Sequence, residues 1–387
     1  VLFLTHKMHF WLVSAPPEGG STEETWKSLQ RSLGELSTNY KMKIPDLRVG
    51  TLDSLMQLSD DLDRVDRFVE GTVHRIEKEL KDNAQGGTAV EPSIDGAPID
   101  RFLTSFDWDQ ARYPIKSTLS ELVTMIQDLT MRTDEELKAK LLDFNTIKSS
   151  LSQWDRKGTG SLNSRSLTEY VKKEHFIASE KLVSIFCAVP KFALKEFLEE
   201  YENFGTFTTD KAKINGVVPR SAKMVTQDAE YDLVRVVVFK AAEEEFKLKA
   251  REARATVRDF TFVEGQDEKD KSEITRLKAD VDKAWSSLVR WAKTTYAETF
   301  RAWMHLKAIR VFVESVLRYG LPPTFQAMLV KPGRNEDKCR KILGDLYAHL
   351  GAGMEQGGEE APAAAGTAKF YPYVDIDVKL SGSVGEQ

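Results

Sequence analysis

The chain has 387 residues, of which 41% are hydrophobic and 30% charged, enough material for two or three cores. A net charge of −5 lacks the concentrated basic surplus that displaces counterions from nucleic acid, so no nucleic-acid partner is expected. The two cysteines, Cys187 and Cys339, stand far apart and outside any C-x-x-C spacing, which argues against a disulfide framework or a zinc cluster and fits a reducing, cytoplasmic setting.

The apolar start "VLFLTHKMHFWLV" is broken by His6, Lys7 and His9 and has no basic lead, so it reads as a poor signal peptide. "FWLVSA" within it reads as a strand. From Thr51 to about Leu80, apolar residues recur mostly three, four and seven apart, predicting an amphipathic helix of many turns. "NAQGGTAVEPSIDGAPID" follows as a Gly- and Pro-rich surface linker. "FDWDQARYP" leads into a second long helix, expected from about Ile115 to Trp154 with a heptad-like seam that needs a partner helix. Asp107 and Asp109, on either side of Trp108, are a carboxylate pair of the kind used in acid–base chemistry. The plainer expectation is that they start this helix, where its dipole favours negative charge.

"WDRKGTGSLNSRSL", Trp154 to Leu167, imitates both an ion loop and a phosphate loop. A calcium loop needs oxygen ligands at its first, third, fifth and twelfth positions, and here these are Asp155, Lys157, Thr159 and Ser166. A cation in a ligand position and a single carboxylate argue against calcium. G-x-x-x-x-G-K-[ST] is absent, and Asn163 replaces the third glycine of G-x-G-x-x-G. The segment is therefore read as a joint, residues 156–166, with Gly158 and Gly160 as its hinge. Each glycine lowers helix propensity by about 1 kcal/mol, so the second helix is expected to stop there.

Between Leu167 and Phe262 the elements shorten. "KLVSIFCAVPK" reads as a strand, "FALKEFLEEYENF" as a helix, "VVPRSAKMVTQ" and "YDLVRVVVF" as a hairpin, "KAAEEEFKLKAREAR" as a helix and "ATVRDFTFV" as a last strand. The order β-α-β-β-α-β predicts a ferredoxin-like unit inserted in the chain. From Asp267 a helical pattern runs unbroken to "YGLPP" at Tyr319. It would be about 80 Å long, against a radius of gyration of roughly 21 Å for a compact globule of this chain length.

The expected fold class is therefore α+β, mainly helical. It is an elongated dumbbell with a discontinuous foot, a two-helix neck and an inserted head. Residues 1–155 supply the foot and ascending helix, 167–265 the head, and 266–387 the descending helix and the rest of the foot. "FQAMLV", "NEDKCRKILGDLYAHL" and "KFYPYVDIDVKL" add strand, helix and strand to the foot, with "GAGMEQGGEEAPAAAG" as a connector.

Little in the chain points to chemistry. The six histidines form no H-x-x-x-H pair on one helix, and no cofactor or metal site is expected. The longest apolar runs, "LVSIFCAVP" and "LVRVVVF", fall well short of the ~20 residues of a membrane span. Lys307, Arg310, Glu314 and Arg318 make a charged stripe on an otherwise apolar helix. Arg310, Glu314 and Arg318 are spaced four apart, so they fit either an internal ladder or a docking stripe for an acidic partner.

"FWLVSAP", "IPDLRVGTLDSLMQLSDDL", "FDWDQARYPIK", "VVPRSAKMV", "FKLKAREARATVRDF", "FRAWMHLKAIRVFVESVLRYGLP" and "YPYVDIDV" together resemble, in order, the C subunit of the vacuolar-type proton-pumping ATPase (V-ATPase). The resemblance implies a non-catalytic stator component, peripheral on the cytosolic face of endomembranes and not inserted in them, with a head, neck and foot. It implies contacts with stalk heterodimers of subunits E and G and with the cytosolic part of the membrane a-subunit, and release during regulated disassembly. Arg220 and Lys223 in "VVPRSAKMV", with Arg310, Glu314 and Arg318, are the candidate partner-binding residues. A scaffold protein binding actin through the same helices is the alternative. Residues 1–7, ahead of Met8, read as an extension relative to that family.

Overall fold

The computed structural model describes residues 9–82, 92–177, 179–209, 212–351 and 371–380. In chain order the first half carries β1 (His9–Ala15), α1 (Thr22–Leu33), β2 (Ser37–Met42), α2 (Leu52–Asp82), α3 (Ile99–Thr104) and α4 (Leu119–Thr159). Next come β3 (Leu182–Pro190), α5 (Leu194–Glu200), β4 (Thr206–Thr209), β5 (Ala212–Asn215), β6 (Lys223–Gln227), β7 (Tyr231–Phe239), α6 (Glu243–Glu252) and β8 (Thr256–Arg258). The last part holds α7 (Gln266–Tyr319), β9 (Gln326–Pro332), α8 (Glu336–Leu346) and β10 (Val374–Lys379). The class is mixed α and β, mainly helical. Two compact units divide the chain: residues 1–140 with 287–387, and residues 141–286. Helices α4 and α7 supply residues to both. Of the linker expected after α2, residues 83–91 lie outside the described residues. So do residues 1–8, residues 352–370, which include all but the first residue of the expected connector (351–366), and the tail 381–387.

In the first unit an antiparallel sheet runs in the order β10-β1-β9-β2. Its period of two puts Trp11, Val13 and Ala15 on one face, where α1 and α8 cover them with Leu29, Leu33, Cys339 and Leu343. Ser14, on the other face, meets Ser315 of α7. The α7 stretch in this unit is buried on nearly every side, including Tyr296, Phe300, Trp303, Ile309, Phe312 and Val316. Leu55, Leu62, Val65, Val69, Val73, Ile76 and Leu80 form the buried stripe of α2, as their spacing predicts. Gly320 ends α7 at φ 86°, a left-handed position that suits glycine at a helix terminus.

Two boundary expectations are corrected. Helix α4 starts at Leu119, where Thr118 and Glu121 form a capping box: the Glu121 N–H donates to Thr118 Oγ1, and the Thr118 N–H to Glu121 Oε2. Asp107 and Asp109 lie in the preceding loop and do not start the helix. Asp109 Oδ1 accepts the Ala111 and Arg112 N–H groups, and the Asp109 N–H donates to His305 Nε2 at 3.0 Å. At its other end α4 runs past Trp154 to Thr159. The Gly160 N–H reaches Arg156 O and Thr159 Oγ1 reaches Asp155 O, so the helical ladder carries through Gly158. One glycine in a last turn weakens a helix without stopping it.

In the second unit the antiparallel sheet runs β6-β7-β3-β8. One face packs on Phe197, Phe246 and Ala250 of α5 and α6. The other is covered by Leu162, Leu167 and Val171, which follow α4. The β4–β5 hairpin, like α1, β2 and α3, was not among the expected elements. "VVPRSAKMVTQ" contributes a shorter strand than expected, because the backbone breaks at Arg220 (φ 54°) before β6 begins. The expected strand at 255–263 shrinks to Thr256–Arg258, since Phe260 and Phe262 turn onto Phe176.

Candidate partner-binding surface and joint

The paired strands of the second unit place Lys223, Arg235, Phe186 and Arg258 in one row across β6, β7, β3 and β8. Residues directly opposite on neighbouring strands share a face, so Phe186 stands between Arg235 and Arg258, and Lys223 lies on the far side of Arg235. Arg258 is committed inward: its guanidinium donates to Asn163 O and to Arg165 O at 2.8 Å. Burial lowers its pKa from the usual arginine value. Arg235 Nη2 donates to Ser221 O at 3.2 Å. Lys223 is exposed.

Arg220 lies in the turn just before β6. Its side chain is exposed, its backbone is left-handed, and its N–H donates to Glu202 Oε1 at 2.8 Å. Ser221 fastens this turn to β7, accepting the Val237 N–H on its hydroxyl. His175 sits nearby, and its pKa is lowered by burial, then by Lys223, Arg235 and Lys172, against the raising effect of Glu174. Two of the expected partner-binding residues, Arg220 and Lys223, thus stand three positions apart at the start of β6, both exposed. Arg235 completes the group and was missed, although a lone arginine in the apolar run "YDLVRVVVF" was the available signal.

The joint's main chain is tied to this sheet by side chains of Asp228 and Arg258. Asp228, in the β6–β7 turn, accepts the Leu162 N–H at 2.6 Å and the Glu230 and Tyr231 N–H groups at 2.8 and 2.6 Å. Burial works to raise its pKa, but these backbone donors outweigh it and hold the carboxyl below its usual range. Asp155 and Thr159, the first and fifth positions of the imitated calcium loop, lie on α4. Gly158 has open space where a Cβ would stand, while a Cβ on Gly160 would come within 3.0 Å of Arg156 O.

The α7 stripe faces inward. Lys307 and Asp66 are both 3% exposed and pair at 2.8 Å. Arg310 bonds Asp63 and Asp66 of α2, and Glu314 accepts from Ser59. Arg318 Nη1 donates to Tyr373 O and Tyr371 O, Lys307 Nζ to Asp377 O, and His74 Nε2 to Lys379 O. These donors cover the outer edge of β10, which would otherwise present unpaired carbonyls. The stripe, read as either an internal ladder or a docking face, is engaged with α2 and with the edge of β10.

Among the described residues, no helix is long and apolar enough to cross a membrane. Also among them, no group of three or more His, Cys, Asp or Glu side chains is placed to hold a metal ion. The V-ATPase C-subunit family matches residues 10–374. The chain is 41% identical over 384 residues to the C 1-B subunit of the V-type proton ATPase of Danio rerio, covering 96% of this chain and 98% of that one. It is 40% identical over 385 residues to the C 1 subunit of the V-type proton ATPase of Xenopus laevis, with the same coverage. It is also 40% identical over 385 residues to the C subunit of the V-type proton ATPase of Manduca sexta, covering 96% and 97%.

Proposed function

The chain belongs to the V-ATPase C-subunit family, and from that premise we propose that it is a non-catalytic stator component of the proton pump, joining the ATP-hydrolysing sector to the membrane sector. The observation that carries this is the family match over residues 10–374, together with relatives aligned over nearly their whole length. The strand order β6-β7-β3-β8 with antiparallel pairing throughout supports reading residues 167–265 as a ferredoxin-like head that grips a stalk of subunits E and G. Residues 1–155 and 266–387 then supply the two neck helices and the foot, which meets a second stalk and the cytosolic part of the membrane a-subunit on the cytosolic face of endomembranes. Residues 156–166 serve as the joint, with Gly158 and Gly160 as its hinge, and the protein leaves on regulated disassembly.

Among the candidate residues, exposure favours Arg220 and Lys223 as partner contacts. Arg310, Glu314 and Arg318 are read as structural because their bonds turn inward.

The test is complementation. Membranes carrying a pump stripped of its resident C-type stator receive the purified full chain, and ATP-driven acidification is followed. Restored acidification, with no ATP turnover by the chain alone, is the expected result. Turnover by the isolated chain, or co-sedimentation with actin filaments without any rescue of the pump, would overturn the stator reading.

A further inference from the structure

Lys223 stands directly opposite Arg235 across β6 and β7, and like charges in that position destabilise a sheet. Among the described residues, no carboxylate lies within ion-pair distance of Lys223, Arg235 or Arg220. The acids nearby are otherwise engaged or outward: Glu202 accepts the Arg220 N–H and the Tyr201 hydroxyl, and Glu174 is exposed, 3.9 Å from His175. Arg235 is fixed by Ser221 O, and its Nε is buried without a partner. The left-handed backbone at Arg220 is uncommon for a non-glycine residue. Such outliers persist where surrounding structure enforces them and cluster at binding sites. β6 is an edge strand, so this corner opens at the border of the sheet.

We propose that the corner formed by Arg220, Lys223 and Arg235 is a docking site for a carboxylate-rich segment of a protein partner. The inference rests on reading residues 167–265 as the stalk-gripping head. Each cation lacks an anion of its own, and a segment with acidic side chains spaced along it supplies several at once. Bound carboxylates convert the cross-strand repulsion into shared attraction, so the partner recovers stability that the free protein lacks. An anionic membrane is the weaker fit, because the net charge of −5 repels such a surface away from the corner. A single acidic segment needs only the corner itself.

The experiment uses full-length wild type, Lys223→Glu, Lys223→Arg and Arg220→Asn, the last keeping a residue that tolerates the left-handed turn. Each is titrated at low and high salt with purified heterodimer of subunits E and G, with a poly-glutamate peptide, and with phosphoinositide vesicles. Lys223→Glu is expected to weaken heterodimer binding by roughly tenfold or more at low salt and to flatten its salt dependence. In the free protein it should raise the thermal midpoint, because the new carboxylate faces Arg235. A merely structural lysine would not give that pairing of weaker binding with higher stability. Lys223→Arg should bind as wild type, and Arg220→Asn should bind more weakly.

Heterodimer binding to Lys223→Glu with unchanged affinity and salt slope overturns the proposal while leaving the stator reading in place. If the heterodimer fails to bind wild type, that reading fails, and the peptide then decides the corner. Poly-glutamate binding that is lost in Lys223→Glu upholds it; no peptide binding, or Lys223-dependent binding to vesicles alone, overturns it.

Discussion

Asp66 of α2 takes Lys307 Nζ of α7 at 2.8 Å, and both side chains are only 3% exposed. The same carboxylate accepts Trp303 Nε1 at 2.9 Å and Arg310 Nη1 at 2.7 Å. Removing one member of a buried ion pair leaves the other charge without compensation, at a cost of about 3–5 kcal/mol. Asp66→Ala is therefore expected to lower stability by that amount in urea denaturation followed by tryptophan fluorescence. Asp66→Leu combined with Lys307→Met should lose less than Asp66→Ala, since no buried ammonium is stranded. Equal losses would mean the pair is not what holds the two helices.

The hinge glycines should respond with opposite signs. Gly158 lies in the last turn of α4 with room for a methyl group, so Gly158→Ala should gain up to about 1 kcal/mol of helix stability. A Cβ on Gly160 presses on Arg156 O and on Ser164 Oγ at 2.8 Å, so Gly160→Ala forces the joint to shift and should lower the midpoint. Thermal unfolding of the two single variants checks this, and matching shifts would count against it.

Two histidines of the first unit give opposite pH windows. His9 bonds Asp377 at 3.2 Å and Glu336 at 3.4 Å. Burial lowers its pKa, but the bond and charge of Asp377, then Glu336, outweigh that and leave it raised. Its contribution is full below the unfolded value of about 6.5 and fades as pH rises through the folded value. His305, packed among Phe106, Trp108 and Tyr113, has its pKa lowered chiefly by burial. Its Nε2 must stay unprotonated to accept the Asp109 N–H, so its contribution is present above about 6.5 and lost as pH falls. Denaturation midpoints across pH should therefore lose their alkaline decline in His9→Gln and part of their acid decline in a His305 variant.

Burial pushes the Cys187 thiol up to about 12, and burial also raises Cys339. Thiolates carry the reactivity, so both cysteines should resist iodoacetamide at mildly alkaline pH in the folded chain. Both should be alkylated once urea unfolds it. Mass spectrometry of the intact chain distinguishes the two states, and rapid labelling without urea would contradict the packing.

The long helices were legible because their apolar residues keep a single period over many turns, as in α2 from Leu55 to Leu80. Strands β3 and β7 were legible for a similar reason, being continuous apolar runs. Helix α1 and strand β2 were not, since "TEETWKSLQRSL" and "STNYKM" are mostly polar and their burial depends on a sheet assembled from distant strands. The site divided the same way. Arg220 and Lys223 could be named from their motif, but their relation to Arg235 exists only in the β6–β7 register. The stripe on α7 stayed open between ladder and docking face because helical spacing shows which charges share a face and not what covers it. Asp63 and Asp66, which occupy that face, are about 240 positions away in sequence.

In the first unit β1 is an inner strand, flanked by β9 and β10, so Phe10 pairs with Val378 and Trp11 with Val330. During synthesis β1 (His9–Ala15) leaves the ribosome well ahead of both of its neighbours, β9 (Gln326–Pro332) and β10 (Val374–Lys379). Until then its buried residues, from Phe10 to Ala15, have no ladder to join, while the residues of 141–286 already possess all the strands of their own sheet. The second unit can therefore fold on the growing chain, and the first closes only after β9 and β10 have been made. A nascent chain halted before β9 would hold β1, with Phe10, Trp11, Leu12 and Val13 that are buried in the finished sheet, open to solvent, which makes β1 a segment in need of a chaperone.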